Sequence, residues 1–140
     1  MPLNLLITGA SRGIGRATAL YFAEQGWNVV ATMRNVNDGQ DLNEHNNIQV
    51  IALDVENEAS VKEGIQQGLA AWGGIDVVIN NAGFGVFGAL ESISPESISC
   101  QFEVNLFGMM RVTRAVLPHF RERQSGLFIQ MSSMAGKIPF

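Results

Sequence analysis

The chain has 140 residues, of which 46% are hydrophobic and 16% charged, a size that suits one domain around one buried core. Thirteen acidic residues against nine basic ones give a net charge of −4, and no basic run is present, which argues against nucleic acid as a partner. The single cysteine, Cys100, excludes an internal disulfide and argues against a cysteine metal cluster, so we expect no metal site.

Membrane and export signals are not visible in the sequence. No uncharged run reaches the roughly 18 apolar residues that a membrane span requires. The first residues also lack a basic region ahead of an apolar stretch. We therefore expect a cytoplasmic protein that does not contact a membrane.

Apolar runs alternate with helical patterns along the chain, and neither a linker nor an internal repeat divides it. Continuous apolar runs predict helix-covered strands at residues 3–8, 27–33, 48–53, 75–79 and 127–131. Helical spacing of apolar residues predicts helices over residues 14–26, 61–72 and 95–123.

This alternation predicts the fold class. Strands that alternate with helices form a parallel sheet through right-handed crossovers, so we expect a doubly wound, Rossmann-like α/β fold with helices on both faces. Residues 1–140 would form a single domain. In such sheets ligands bind beyond the carboxyl ends of the strands, which is where we look for a site.

The first expected strand ends in a turn with three glycines, Gly9, Gly13 and Gly15. Free amides and the positive dipole end of the following helix make an anion site there, and phosphate is the usual guest. The spacing is not the G-x-G-x-x-G of the dinucleotide fingerprint. A tight turn whose glycines serve only packing is the alternative.

The second expected strand ends at Arg34, where a dinucleotide fold meets the adenosine ribose. NAD usually meets a carboxylate at this point, and none is present. A guanidinium instead suits a 2′-phosphate, which Arg12 could share, so the sequence favours NADP(H) over NAD(H). Taken alone, Arg34 would be read as a solvated charge.

Polar residues also follow the third and fourth expected strands. Asp54 and Val55 follow the third, and the fourth ends in Asn80-Asn-Ala-Gly83. Two adjacent asparagines at the end of a buried strand are costly unless their amides are hydrogen-bonded. They must hold either the loops or a ligand, and the residues alone leave both possibilities open.

Taken together, these motifs resemble those of the short-chain dehydrogenase/reductase family. The matching segments cover nearly the whole chain in the family's order: Thr8-Gly-Ala-Ser-Arg-Gly-Ile-Gly15, Asp54-Val55, Asn80-Asn-Ala-Gly83, Asn105-Leu-Phe-Gly108 and Ile129-Gln-Met-Ser-Ser-Met-Ala-Gly136. The resemblance implies hydride transfer between nicotinamide and a carbonyl or alcohol carbon. It implies cofactor contacts at Gly9, Ser11, Arg12, Gly13, Ile14, Gly15, Arg34, Asp54, Val55, Asn81, Ala82 and Gly83.

The resemblance also assigns two catalytic positions. Asn105 matches the family's asparagine, which holds a backbone kink and a water of the proton relay. Ser133 matches the serine that hydrogen-bonds the substrate oxygen, and Ser132 is its neighbour. Without the resemblance, Asn105 would be read as a solvent-facing or helix-contacting residue and the serine pair as a turn former.

One departure from the family pattern is serious. A Tyr-x-x-x-Lys motif that supplies the acid/base tyrosine and a lysine follows the serine in this family, and the sequence stops at Phe140 before reaching it. Tyr21, the single tyrosine, lies in the first expected helix. We therefore expect the N-terminal part of a longer enzyme. The alternative is a non-catalytic NADP(H)-binding module or fragment.

Substrate and assembly are less constrained. The apolar, glycine-rich segment after the fourth strand, residues 84–90, favours an apolar small-molecule carbonyl or alcohol substrate. The resemblance implies a homo-oligomer in which the helix expected at residues 95–123 pairs with another copy.

Overall fold

The computed structural model describes residues 1–137 and contains a five-stranded, fully parallel sheet. In space the strands follow the order β3-β2-β1-β4-β5. Their bounds are β1 (Asn4–Thr8), β2 (Asn28–Met33), β3 (Ile48–Ala52), β4 (Val77–Asn80) and β5 (Leu127–Gln130). All five predicted strands are present, and their parallel pairing confirms the doubly wound α/β class.

Within residues 1–137, four α-helices connect the strands, together with shorter helical turns. The α-helices are α1 (Gly13–Glu24), α2 (Glu58–Trp72), α3 (Pro95–Phe102) and α4 (Met109–Arg123), and the 3₁₀ segments are Val36–Glu44, Leu90–Ser92 and Met134–Gly136. A π-helical turn, Glu103–Gly108, joins α3 to α4. The helix predicted over residues 95–123 is therefore present but widened in its middle. None of the helices within residues 1–137 is long and apolar enough to cross a membrane.

Side-chain hydrogen bonds fix where two of these helices begin. Asn57 accepts a hydrogen bond from the Ser60 amide at the start of α2, and Ser94 accepts one from the Ser97 amide at the start of α3. Both are preferred N-cap residues, and Pro95 occupies the first turn, where a missing N–H costs nothing. These caps explain why the two crossover helices begin where they do.

Two apolar layers sandwich the sheet because successive strand residues point to opposite faces. The layer beneath α1 contains Leu5, Ile7, Val29, Ala31, Val77 and Ile79 together with Ala19 and Ala23 of the helix. The layer beneath α2 and α4 contains Leu6, Val30, Val78, Val61, Ile65, Val112, Val116 and Phe120. Helices thus cover both faces, as predicted.

Strand β5 is covered on one face only within the described residues. Phe128 packs on Phe120 of α4 with a ring-centroid distance of 4.8 Å. Leu127 and Ile129 pair in register with residues on the α1 side of the sheet, yet their side chains remain 53% and 37% exposed. This face of β5 is apolar surface without a covering helix in residues 1–137.

The strand order reverses beside β1, which has β2 on one side and β4 on the other. In open parallel sheets a crevice forms at such a point, outside the carboxyl ends of the strands. The turn after β1 and the loop after β4 border that crevice.

Candidate cofactor and active site

The glycine turn between β1 and α1 has the features of an anion cradle. Gly9 and Gly13 have φ angles of 68° and 56°, in the left-handed region that favours glycine. Within residues 1–137, a Cβ built on Gly13 would meet no atom within 4 Å other than those of its neighbours along the chain. Arg12, the N-cap of α1, forms no side-chain cap hydrogen bond. The first amides of α1 therefore keep their capacity to bind an anion.

Contacts within the protein explain why the other two positions, Gly9 and Gly15, are occupied by glycine. A Cβ on Gly9 would lie 2.9 Å from the Cα of Ala82, and one on Gly15 would overlap the carbonyl oxygen of Gly9 and lie 2.5 Å from Nδ2 of Asn81. The packing explanation thus applies to Gly9 and Gly15, whereas the side of Gly13 is open.

Hydrogen bonds tie the glycine turn to the loop after β4. The buried Oγ1 of Thr8 accepts from the amides of Asn81 (3.1 Å) and Ala82 (3.0 Å). In return, Nδ2 of Asn81 donates to the carbonyl oxygens of Thr8 (3.0 Å) and Gly9 (3.2 Å). Both borders of the crevice are therefore held together. Thr8 was not among the predicted site residues, although a hydroxyl at the end of a buried strand was a visible signal.

Asn80 forms different hydrogen bonds from those of Asn81. Its Nδ2 donates to Oγ1 of Thr113 on α4 at 3.2 Å. Its Oδ1 is buried and has no hydrogen-bond partner among residues 1–137. The asparagine pair thus holds the loops and α4, and one acceptor at the end of β4 is left unsatisfied.

Asn105 lies in the π-helical turn and fixes the next part of the loop after β4. Its Oδ1 accepts from the Phe84 amide (3.0 Å), and its Nδ2 donates to the Phe84 carbonyl (2.7 Å). A Cβ on Gly83 would approach Oδ1 of Asn105 to 3.1 Å, so glycine suits this contact. Such π turns are often found at functional sites. Asn105 therefore bridges the long helix and the crevice.

The loop after β3 contributes Asp54 and Val55. Oδ1 of Asp54 accepts from the Glu56 amide at 3.0 Å, which closes a tight turn. Val55 is buried, and a Cβ on Gly108 would lie only 2.8 Å from its Cβ. Gly108 therefore lets the long helix approach this loop, a role that the sequence did not reveal.

Two arginines, a serine and an isoleucine lie at the rim of the site. The Arg34 side chain is 76% exposed, and its Nη1 lies 4.0 Å from Oε2 of Glu56. Arg12 and Ile14 are exposed and Ser11 is half-buried. These side chains are available to a ligand without displacing core residues.

Ser133 lies on the segment after β5. It is exposed, and its Oγ accepts from the Ala135 amide at 3.1 Å, so it also forms the turn expected of such a serine. Tyr21 lies in α1 with its ring edge against Phe22. Direct contacts thus join the glycine turn, the loop after β4 and Asn105, while Arg34 and Ser133 stand on separate loops at the carboxyl end of the sheet.

Comparison with known proteins agrees with this arrangement. A family model described as short chain dehydrogenase matches residues 4–140. The chain belongs to the short-chain dehydrogenase family. Family membership accounts for the order of the motifs along the chain and for the crevice that they border.

Curated relatives extend well beyond the matched region. The chain is 38% identical over 135 residues to a 3-ketodihydrosphingosine reductase of Bacteroides thetaiotaomicron, covering 96% of this chain and 48% of that protein. It is 34% identical over 139 residues to the NADP-dependent 3-hydroxy acid dehydrogenase YdfG of Escherichia coli strain K12, covering 97% and 56%. The chain thus spans about half the length of these relatives.

Solved short-chain dehydrogenase structures superpose closely. ElxO with NADP bound matches at a TM-score of 0.93 with 29% identity, covering 100% of this chain and 59% of that one. A 3-ketoacyl-(acyl-carrier-protein) reductase from Brucella melitensis complexed with NADH matches at 0.93 with 30% identity, covering 99% and 60%. Neighbours of the same fold thus hold either cofactor.

Proposed function

We propose that the protein is an NADP(H)-dependent oxidoreductase that moves hydride between nicotinamide and the carbonyl or alcohol carbon of a small molecule. One observation carries the proposal: the open side of Gly13 at the uncapped start of α1, in a turn locked to the loop after β4. This geometry suits the pyrophosphate of a dinucleotide. Family membership supports the reaction class.

The residues present fit such a cofactor. The backbone of residues 9–15, with Ser11, Arg12 and Ile14, would hold the pyrophosphate. Asp54, Val55 and the segment Asn81, Ala82 and Gly83 would line the path from adenine to nicotinamide. When bound, the cofactor supplies or accepts hydride at C4 of its nicotinamide ring. The protein's part is to bind, orient and exclude water.

Arg34 supports NADP(H) over NAD(H). Its guanidinium is largely exposed at the end of β2, where NAD enzymes present a carboxylate to the ribose. A forked cation can form charge-assisted hydrogen bonds with a 2′-phosphate. Because known neighbours hold either NADP or NADH, the preference rests on Arg34, with Arg12 as its second cation.

Ser133 and Asn105 are the proposed catalytic residues. The exposed hydroxyl of Ser133 would hydrogen-bond the substrate oxygen, and Asn105 would keep the loop after β4 and a relay water in place. Tyr21 is unsuited to proton transfer here because it lies in α1 against Phe22. We propose that a tyrosine and a lysine in further chain beyond these 140 residues supply the acid/base pair.

The proposed function also implies a domain organisation. Residues 1–140 would form one NAD(P)-binding domain whose sheet continues past β5. Two observations support this: the curated relatives are about twice as long, and the Leu127 and Ile129 side chains of β5 are exposed.

Substrate and assembly complete the proposal. Phe84, Phe87 and Leu90 after β4 are 42%, 86% and 75% exposed, which favours an apolar carbonyl or alcohol substrate. Leu106, Phe107 and Met110 are exposed on the long helix and would pair with a second copy in a homo-oligomer. We place the enzyme in the cytoplasm, without nucleic-acid, membrane or metal partners.

A non-catalytic NADP(H)-binding module is the second candidate. The position of Tyr21 favours it, because Tyr21 lies in α1, so a chain limited to these residues would bind cofactor without a tyrosine on the segment that carries Ser133. NADPH oxidation by the protein with any further chain beyond residue 140 included, tested with a panel of apolar ketones and aldehydes, separates the two. Turnover with at least one carbonyl supports the enzyme, whereas tight NADPH binding without turnover supports the module.

A further inference from the structure

Glu56 lies in a rigid turn after β3. Its amide donates to Oδ1 of Asp54 at 3.0 Å, and the Asp54 amide donates to Oγ of Ser60 at 3.0 Å. The carbonyl between them, on Val55, accepts from Nη1 of Arg111 at 3.2 Å. The backbone that carries the Glu56 carboxylate is therefore fixed from both sides.

The carboxylate of Glu56 lies close to Arg34. Oε2 is 4.0 Å from Nη1 of Arg34, and Oε1 is 4.0 Å from Sγ of Cys100 on α3. The side chain of Glu56 is 31% exposed, whereas that of Arg34 is 76% exposed. Since Glu56 is the better enclosed partner, Arg34 is the group that can move away from the pair.

The distance between the Arg34 guanidinium and the Glu56 carboxylate shows what kind of interaction joins them. A nitrogen–oxygen distance of 4.0 Å is beyond hydrogen-bonding range, so the carboxylate does not lock the guanidinium in a forked geometry. It does place a negative charge beside the cation that the proposed function assigns to the 2′-phosphate. Two anions then compete for one guanidinium.

We propose that Glu56 is a specificity-determining residue that weakens the preference for NADP(H) by competing with the 2′-phosphate for Arg34. The inference rests on the proposed function of Arg34. NADH has no 2′-phosphate, so its binding does not require Arg34 to leave Glu56. The Glu56 carboxylate therefore lowers affinity for NADPH and leaves affinity for NADH unchanged.

Replacement of one carboxylate by its amide tests this inference. In Glu56→Gln the Kd for NADPH, measured by calorimetric titration, should fall about two- to five-fold, the range of an exposed ion pair, while the Kd for NADH stays the same. High salt should reduce the difference. Glu58→Gln is the matched control, because it makes the same charge change at an exposed position two residues along.

A change in NADPH affinity opposite to the expected one would overturn the inference. Weaker NADPH binding by Glu56→Gln would make Glu56 a residue that positions Arg34, and an unchanged NADPH-to-NADH ratio would give it no role in specificity. The tighter NADPH binding caused by Glu56→Gln should also disappear when Arg34 is replaced by alanine in the same protein. If Glu56→Gln still tightens NADPH binding in full in the Arg34→Ala variant, competition for Arg34 is refuted.

The single variant Arg34→Ala distinguishes failure of the proposed role of Arg34 from failure of the proposed competition by Glu56. If this variant binds NADPH as the wild type does, the assignment of Arg34 to the 2′-phosphate fails, and the role of Glu56 fails with it. If Arg34→Ala weakens NADPH binding but Glu56→Gln changes nothing, the proposed cofactor preference stands and only the competition is refuted.

Discussion

Thr8 and Asn81 are hydrogen-bonded to each other through both of their side chains. The Thr8 hydroxyl accepts from the Asn81 amide at 3.1 Å, and the Asn81 side-chain amide donates to the Thr8 carbonyl at 3.0 Å. Residues 73 positions apart in the chain thereby align the ends of β1 and β4. The clamp shapes the crevice in which the cofactor is proposed to lie.

Thr8→Val should loosen this clamp. Valine keeps the shape but removes the acceptor, which leaves the half-buried amides of Asn81 and Ala82 without this partner. Each unsatisfied donor costs about 1–3 kcal/mol, so we expect the free energy of unfolding to fall by about 2 kcal/mol or more. Urea unfolding measures the loss. Thr8→Ser, which keeps the hydroxyl, is the control, and equal stability of the two variants would contradict the role of the hydroxyl.

Gly13→Ala and Gly15→Ala should separate ligand approach from packing. Among residues 1–137, alanine at Gly13 meets no atom other than those of its chain neighbours, so only the positive φ, about 1–2 kcal/mol, should affect stability. Affinities for NADPH and NADH should fall together, because both contain the pyrophosphate. Alanine at Gly15 overlaps the Gly9 carbonyl and should lower the melting temperature further. Unchanged cofactor binding by Gly13→Ala would mean that its glycine serves the turn alone.

Asn105→Ala should release the loop after β4. The substitution removes both hydrogen bonds to the Phe84 backbone, worth about 1–2 kcal/mol together. The Phe84 amide should then exchange with deuterium faster, as followed by hydrogen-exchange mass spectrometry. Asn46→Ala, at an exposed position, serves as the control. Equal protection of Phe84 in wild type and Asn105→Ala would show that other contacts hold this loop.

Acid should weaken the ion pair between Arg16 on α1 and Asp41 in the segment after β2. Hydrogen bonding by the Arg16 guanidinium lowers the pKa of Asp41 below its ordinary value of 3.8. The pair therefore stabilises the fold above that value and loses its contribution as the pH falls through the lower, folded pKa. Asp41→Asn should lack this acid-dependent loss in urea unfolding. Parallel stability curves for the variant and wild type below pH 4 would contradict it.

The positions of β1, β2 and β4 were predictable because nearly all of their residues are buried on both faces, but a tertiary contact moved one strand boundary. The fourth strand was predicted from Ile75, which is fully buried, but β4 begins at Val77. The amide of Ile75 donates to Nε2 of His119 rather than to a strand. A contact with a residue 44 positions away could not be read from the apolar run.

The candidate site, too, was predictable from the sequence only in part. Motif order pointed to the crevice, and the glycine turn was found from its sequence. The separate reasons for Gly9 and Gly15 depend on Ala82 and Asn81, which approach only in the folded chain. The spacing of residues 95–123 predicted one continuous helix, and only the family resemblance implied a backbone kink at Asn105, which lies in the π-helical turn. The close fit of Gly108 on Val55 is a tertiary contact that the sequence did not reveal.

The most direct test of the proposed cofactor role is the pair of dissociation constants for NADPH and NADH, in wild type and in Arg34→Asp. Wild type should bind NADPH more tightly. Loss of a charge-assisted contact of about 1.5–3 kcal/mol should weaken NADPH binding roughly 10- to 100-fold in the variant and favour NADH. Arg121→Asp, at an exposed position in the last turn of α4, controls for net charge. Equal affinities for both cofactors in wild type, unchanged in Arg34→Asp, would contradict the account.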